Sequence, residues 1–122
     1  MDKFNVIGGV FALLAVVFGA FAAHSLKSQI SEDSIKSFET GVRYMMYHGL
    51  AIIILSTLNI EGKNLILKFF LFGTILFSGS IFLLSTQLLT NLKLTFLGPV
   101  TPIGGSLLII GWIVFIFYSI KP

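Results

Sequence analysis

Five residues that could do chemistry lie in one short segment, at Glu39, Arg43, Tyr44, Tyr47 and His48. Glu39 and Arg43 are four apart, as are Arg43 and Tyr47, and Tyr44 and His48. On a helix each of these pairs shares a face, so an ion pair is expected between Glu39 and Arg43. Arginine and histidine are costly inside a bilayer and mark sites there by default. Arg43 is read either as an interfacial cation held by Glu39 or as an anchor for an anionic headgroup. His48 is read either as a neutral imidazole satisfied by Tyr44, a backbone carbonyl or His24, or as part of a binding site. His24 and His48, even with Glu39, lack the placed carboxylates of a metal centre, and neither a metal nor another cofactor is expected. Ser78 and Ser80 would need a base and an acidic partner to act as nucleophiles, and only His48 lies at comparable depth, so an enzyme is not the favoured reading.

The solvent that these groups meet is set by four uncharged apolar runs, 4–23, 44–60, 69–92 and 94–120. A helix crosses a hydrocarbon core of about 30 Å with about 20 residues. Each run meets or approaches that length, and none carries a polar face at helical spacing. The fold class expected is an all-α membrane protein, an antiparallel four-helix transmembrane bundle in a single domain, with helices over about 4–26, 32–59, 64–88 and 101–120. Ala20-Phe21-Ala22 after an apolar stretch has the look of a signal-peptide cleavage site. Because Asp2 offsets Lys3 in a weak basic region, the segment is expected to be retained.

Within the runs, Gly8, Ala12, Ala15, Gly19 and Ala23 form a small-residue seam for close helix packing. Ser31 is placed as an N-cap, with Glu32 and Asp33 in the first turn behind it. Ile30, Ile35 and Phe38 are expected to lie on the membrane surface, and Trp112 and Tyr118 in an aromatic belt. Pro102 suits the first turn of the last helix. Threading four antiparallel helices gathers His24, Glu39, Arg43, Tyr44, Tyr47, His48 and Thr101 at one face, where the last helix would turn its N-terminus towards Arg43; that end is read either as plain capping and close packing by glycines or as an anion site.

There is no cysteine, which excludes disulfides and thiolate chemistry. The net charge of +3 comes from seven Lys and one Arg in scattered positions. Without a basic cluster, no nucleic-acid surface is expected. Lysine and arginine divide evenly between the two sides, and discounting Arg43 puts the termini on the inside.

Four segments occur in order: Gly19-Ala20-Phe21-x-Ala23-His24, Tyr44-Met45-Met46-Tyr47-His48, Phe77-Ser78-Gly79-Ser80, and Thr101-Pro102-Ile103-Gly104-Gly105 followed by Gly111-Trp112. On these segments the chain resembles the family of small membrane proteins catalogued as domain of unknown function 423, and is similar to vertebrate transmembrane protein 256. The resemblance covers essentially the whole chain. It implies a four-span, multi-pass protein of the bacterial inner membrane and supplies no substrate. The leading functional expectation is a non-enzymatic protein that binds a lipid or quinone, or serves as an accessory subunit to a larger membrane-protein partner. A small transporter or channel component acting as a homo-oligomer stays open.

Overall fold

A computed structural model describes residues 3–121 of the chain. Among the described residues the fold is all-helical. Four long helices, α1 (Lys3–Ala23), α2 (Glu32–Thr57), α3 (Lys63–Ser85) and α5 (Val100–Ile120), are accompanied by a short α4 (Gln87–Thr90) and a 3-10 turn at Thr95–Leu97. Three segments are long and apolar enough to cross a membrane: Lys3–Ala23, Lys63–Ser85 and Thr95–Ile120. The charges of α2 all lie in its first half, at Glu32, Asp33, Lys36, Glu39 and Arg43. They set it apart from the other three.

The helix ends follow local chemistry. At Ser31 the side chain accepts the backbone N–H of Ser34 at 3.1 Å, which caps α2, and Glu32 and Asp33 follow at the positive end of its dipole. Gly62 begins α3 from the left-handed region (φ 77°), a conformation open to glycine at little cost. The ring of Tyr118 lies directly against it, nearer than 3.0 Å to where a Cβ would stand. Tyr118 is therefore a packing residue at the α2–α3 turn as well as an aromatic near a helix end.

The long helices stand in a row in the order α1–α2–α3–α5, with α1 against α2, α2 against α3, and α3 against α5. Residue pairs fix the antiparallel sense. Asn5 meets Ser56, Gly8 meets Gly49 and Phe18 meets Phe38; Ser80 meets Thr101, and Gly73 meets Leu108. The row is open, because the outer members α1 and α5 do not pack on each other.

Glycine permits the closest crossings. A Cβ on Gly8 would stand 2.6 Å from the carbonyl oxygen of Gly49, and one on Gly49 would stand 2.9 Å from that of Gly8. The small-residue seam of α1 thus lies against α2, with Gly8 and Ala15 buried. At its far end Ala22 takes the buried place in which Ala23 was expected. Phe38 is a second departure. It is buried between Phe18 of α1 and Phe82 of α3, with ring centroids 6.2 and 4.8 Å away, instead of lying on a membrane surface.

Candidate functional site

A groove runs between α2 and α5, and α3 forms its floor. Tyr47, Leu50, Ala51, Ile54, Leu55 and Leu58 supply the α2 wall, Trp112 and Phe115 the α5 wall, and Phe70 the floor. Its volume is about 250 Å³ and its lining is almost wholly apolar. The open row explains it. Both α2 and α5 pack on α3, and between them only side chains meet.

Behind two of the groove's lining residues, Phe70 and Trp112, lies His48. The imidazole is 4% exposed. Its Nδ1 lies 2.8 Å from the carbonyl oxygen of Tyr44, and its Nε2 lies 3.0 Å from Nε1 of Trp112. These partners define the tautomer. A carbonyl can only accept and an indole N–H can only donate, so Nδ1 carries the hydrogen and Nε2 presents its lone pair to Trp112. Around the imidazole, Tyr44 stacks at 6.1 Å and 20°, Phe70 stands edge-on at 5.2 Å, and Phe70 and Trp112 pack at 4.7 Å. The arrangement is an aromatic box with one hydrogen-bonded pair inside it. Trp112, expected in an interfacial belt, lies midway along α5 and belongs to this box. Sixty-four residues separate it from His48, and nothing in the local pattern around either residue names the other.

The remaining expected site residues divide. Tyr44, Tyr47 and His48 come together. Arg43 does not join them: at 100° per residue it lies about 140° around α2 from His48. Its side chain is exposed and its Nη2 donates to Thr40 Oγ1 at 3.2 Å. The ion pair expected between Arg43 and Glu39 does not form. Among the described residues the one ion pair joins Lys121 and Glu61 at 3.4 Å, and both are exposed. Arg43 does share a stripe with Tyr47, Leu50 and Ile54, the outer lip of the groove. Glu39 borders a different hollow, between the end of α1 and the start of α2, together with Ala22, Lys27 and Lys36. His24 is exposed on the outer side of α1 beside Val17 and Phe21.

Thr101 lies at the start of α5 and is hydrogen-bonded to Ser80 across the α3–α5 crossing. It borders a mixed cleft in which Asp33, Ser34, Ser37 and Ser85 stand beside Ile81, Leu84 and Pro102. The neighbour of the α5 N-terminus is thus a carboxylate and a set of hydroxyls, which does not fit the anion site expected with Arg43. Ser78 donates to the Gly41 carbonyl of α2 at 2.7 Å. Both serines of the Phe77–Ser80 segment are therefore committed to helix-to-helix bonds, and neither addresses His48. Thr74 Oγ1 is buried without a hydrogen-bond partner, one turn along α3 from Phe70. No group of three or more His, Cys, Asp or Glu residues that could hold a metal occurs among the described residues.

With this geometry in view, the chain can be compared with known proteins. Residues 18–105 match the model of a protein family of unknown function, DUF423. That span includes α2 and α3 whole, and the first turns of α5. The chain belongs to the DUF423 family. Among its relatives, the UPF0382 membrane protein of Staphylococcus aureus (strain bovine RF122) is 39% identical over 99% of this chain and 98% of its own length. The UPF0382 membrane protein YwdK of Bacillus subtilis (strain 168) is 36% identical, with the same shares covered. A relative in Staphylococcus epidermidis is 35% identical, again over 99% and 98%. No solved structure matches the chain. The family's own description assigns no activity, so the groove and its aromatic box carry whatever functional reading the DUF423 fold supports.

Proposed function

We propose that this DUF423 protein is a multi-pass protein of the bacterial inner membrane, that all four long helices span it, and that it acts without catalysis by holding an apolar chain in the α2–α5 groove. Bacterial relatives named as membrane proteins support the location. So does the apolar length of α1, α3 and α5. The position of α2 supports its inclusion. It lies between α1 and α3, antiparallel to both, so it shares their depth. Its 26 residues measure about 39 Å, longer than the hydrocarbon core, which leaves its charged first turns for the headgroup region. Arg43 then lies near one interface and snorkels towards Thr40, one turn closer to water.

The observation that carries the binding reading is the groove itself. It lies between the flanks of α2 and α5, where a lipid-embedded protein would meet acyl or isoprenoid chains, and its walls are aliphatic and aromatic. At about 250 Å³ it is smaller than the 300–1,000 Å³ common for whole small-molecule ligands, which suits one chain or one ring with the remainder left in lipid. Arg43, on the same stripe as Tyr47 and Leu50, stands where the headgroup of an anionic lipid would reach it.

Blocking the groove tests this. Ala51 is half-buried on the α2 wall, and Ala51→Phe fills the space beside it. Ile113 is exposed on α5 outside the groove, so Ile113→Phe serves as the control. Both variants and the parent chain are reconstituted in nanodiscs containing phosphatidylethanolamine, phosphatidylglycerol and a long-tailed quinone, then examined by native mass spectrometry. The expected result is a retained lipid or quinone that Ala51→Phe loses by about tenfold and Ile113→Phe keeps. Equal retention in Ala51→Phe and the parent chain would overturn the reading.

A further inference from the structure

Trp112 lines the groove, and its indole N–H and the buried acceptor behind it, His48 Nε2, satisfy only each other. Trp112 Nε1–H points at the lone pair of His48 Nε2 at 3.0 Å. His48 is clamped, because its Nδ1–H is committed to Tyr44. Trp112 is not clamped in this way. It is 40% exposed and lines the groove, packed against Phe70 and Phe115. We infer that this pair is a recognition site for a hydroxyl on an aromatic ring carried by an apolar tail, that is, a phenol or quinol rather than a quinone. The inference rests on the groove reading above.

The chemistry follows from the tautomer. A hydroxyl both donates and accepts. Inserted between the rings, it gives its hydrogen to His48 Nε2 and takes the indole N–H on its oxygen, so one hydrogen bond is exchanged for two. A quinone carbonyl or an ether oxygen can take the indole N–H but can give nothing to His48. It would leave a buried acceptor without a partner, and sites built on paired polar groups discriminate most strongly against that loss. Depth argues for a ring over a glycerolipid. His48 is nine residues from Thr57 at the end of α2, about 14 Å along the axis, close to the midplane of a core about 30 Å thick. The hydroxyls of a phosphatidylglycerol headgroup stay at the interface, whereas an isoprenoid ring enters the apolar layer. The walls favour a ring as well, since Tyr44, Phe70 and Trp112 offer faces and edges for stacking.

Trp112 is the chain's one tryptophan, so intrinsic fluorescence reports the site without a label. The purified full chain in nanodiscs is titrated with three probes that share one prenyl tail: a prenylated phenol, its O-methyl ether, and the corresponding 1,4-benzoquinone. Each titration is repeated on Ala51→Phe and on His48→Phe. The expected result is that the phenol binds about tenfold more tightly than the ether or the quinone. That preference should vanish in His48→Phe while ether binding persists, and Ala51→Phe should abolish binding of all three. If all three probes bind the parent chain alike and Ala51→Phe blocks them, the groove reading stands and the hydroxyl inference is overturned. If no probe shows binding that Ala51→Phe blocks, both readings fall. The comparison of phenol with ether on the unmodified chain decides the matter even if His48→Phe does not fold.

Discussion

Replacing Trp112 with phenylalanine isolates the bond that joins α2 to α5. The substitution keeps a ring against Phe70 and Phe115 but removes the indole donor to His48 Nε2. With His48 4% exposed, that nitrogen has no water to turn to. In globular proteins an orphaned buried acceptor costs about 1–3 kcal/mol. Hydrogen bonds between membrane helices average nearer 0.6 kcal/mol and reach about 1.7. With α2 and α5 both spanning the bilayer as proposed, the membrane scale governs. The hydrogen-bond loss should therefore be about 1 kcal/mol, with a further fraction from the smaller ring. A double-mutant cycle with His48→Phe separates the two, because packing losses at distinct rings cancel and the bond does not. Unfolding in mixed micelles with rising sodium dodecyl sulfate, followed by far-ultraviolet circular dichroism, reads all four corners. A coupling of about 1 kcal/mol is expected. A coupling indistinguishable from zero would mean that the two rings do not share a hydrogen bond.

Three further outcomes follow from the packing. Gly49→Leu drives a Cβ to within 2.9 Å of the Gly8 carbonyl, a backbone atom that cannot move aside, and should cost about 3 kcal/mol in the same assay. Gly9→Leu, which meets nothing within 4 Å, should change stability by less than about 0.5 kcal/mol, and a matching loss there would refute the α1–α2 crossing. Ser78→Ala removes the bond to Gly41 and should cost about 1 kcal/mol. Ser106→Ala, whose hydroxyl only bonds back to Pro102 on an exposed face, should be silent by the same measurement. Arg43→Gln should lower retention of anionic over zwitterionic phospholipid about fivefold in native mass spectrometry, with Arg43→Lys restoring it; unchanged retention would remove Arg43 from the binding reading.

Elements whose signal is local were legible in the residues. The N-cap at Ser31 depends on a hydroxyl three residues from its target. The α1 seam depends on small side chains recurring on one face. Partner choice was not legible in the same way. In a helix that is apolar all round, burial against protein and exposure to lipid draw on the same side chains, so periodicity does not say which face is buried. Phe38 differs in its reason: in the charged half of α2 it shares an apolar stripe with Ile35 and Val42, and such a stripe suits a protein neighbour and a membrane surface alike. Arg43 and Glu39 had the correct spacing for an ion pair, but spacing does not choose between a carboxylate and the nearer hydroxyl of Thr40. The bond from His48 to Trp112 exists only once the α3–α5 crossing fixes which residue of α5 reaches the groove. That register is set by Gly73, Gly104 and Gly111 meeting the neighbouring helix.

An arrangement in which each long helix leans chiefly on the one made just before it can be put together in the order of synthesis. The first pair can dock at its glycine crossing while the ribosome is still producing the rest, and each later helix finds its main neighbour already made. The last helix is the exception in consequence if not in mechanism, because its arrival creates the second wall and delivers the indole. Until then the groove does not exist, so the capture proposed for it would belong to the finished chain alone, and any partly inserted form would be blind to a ligand.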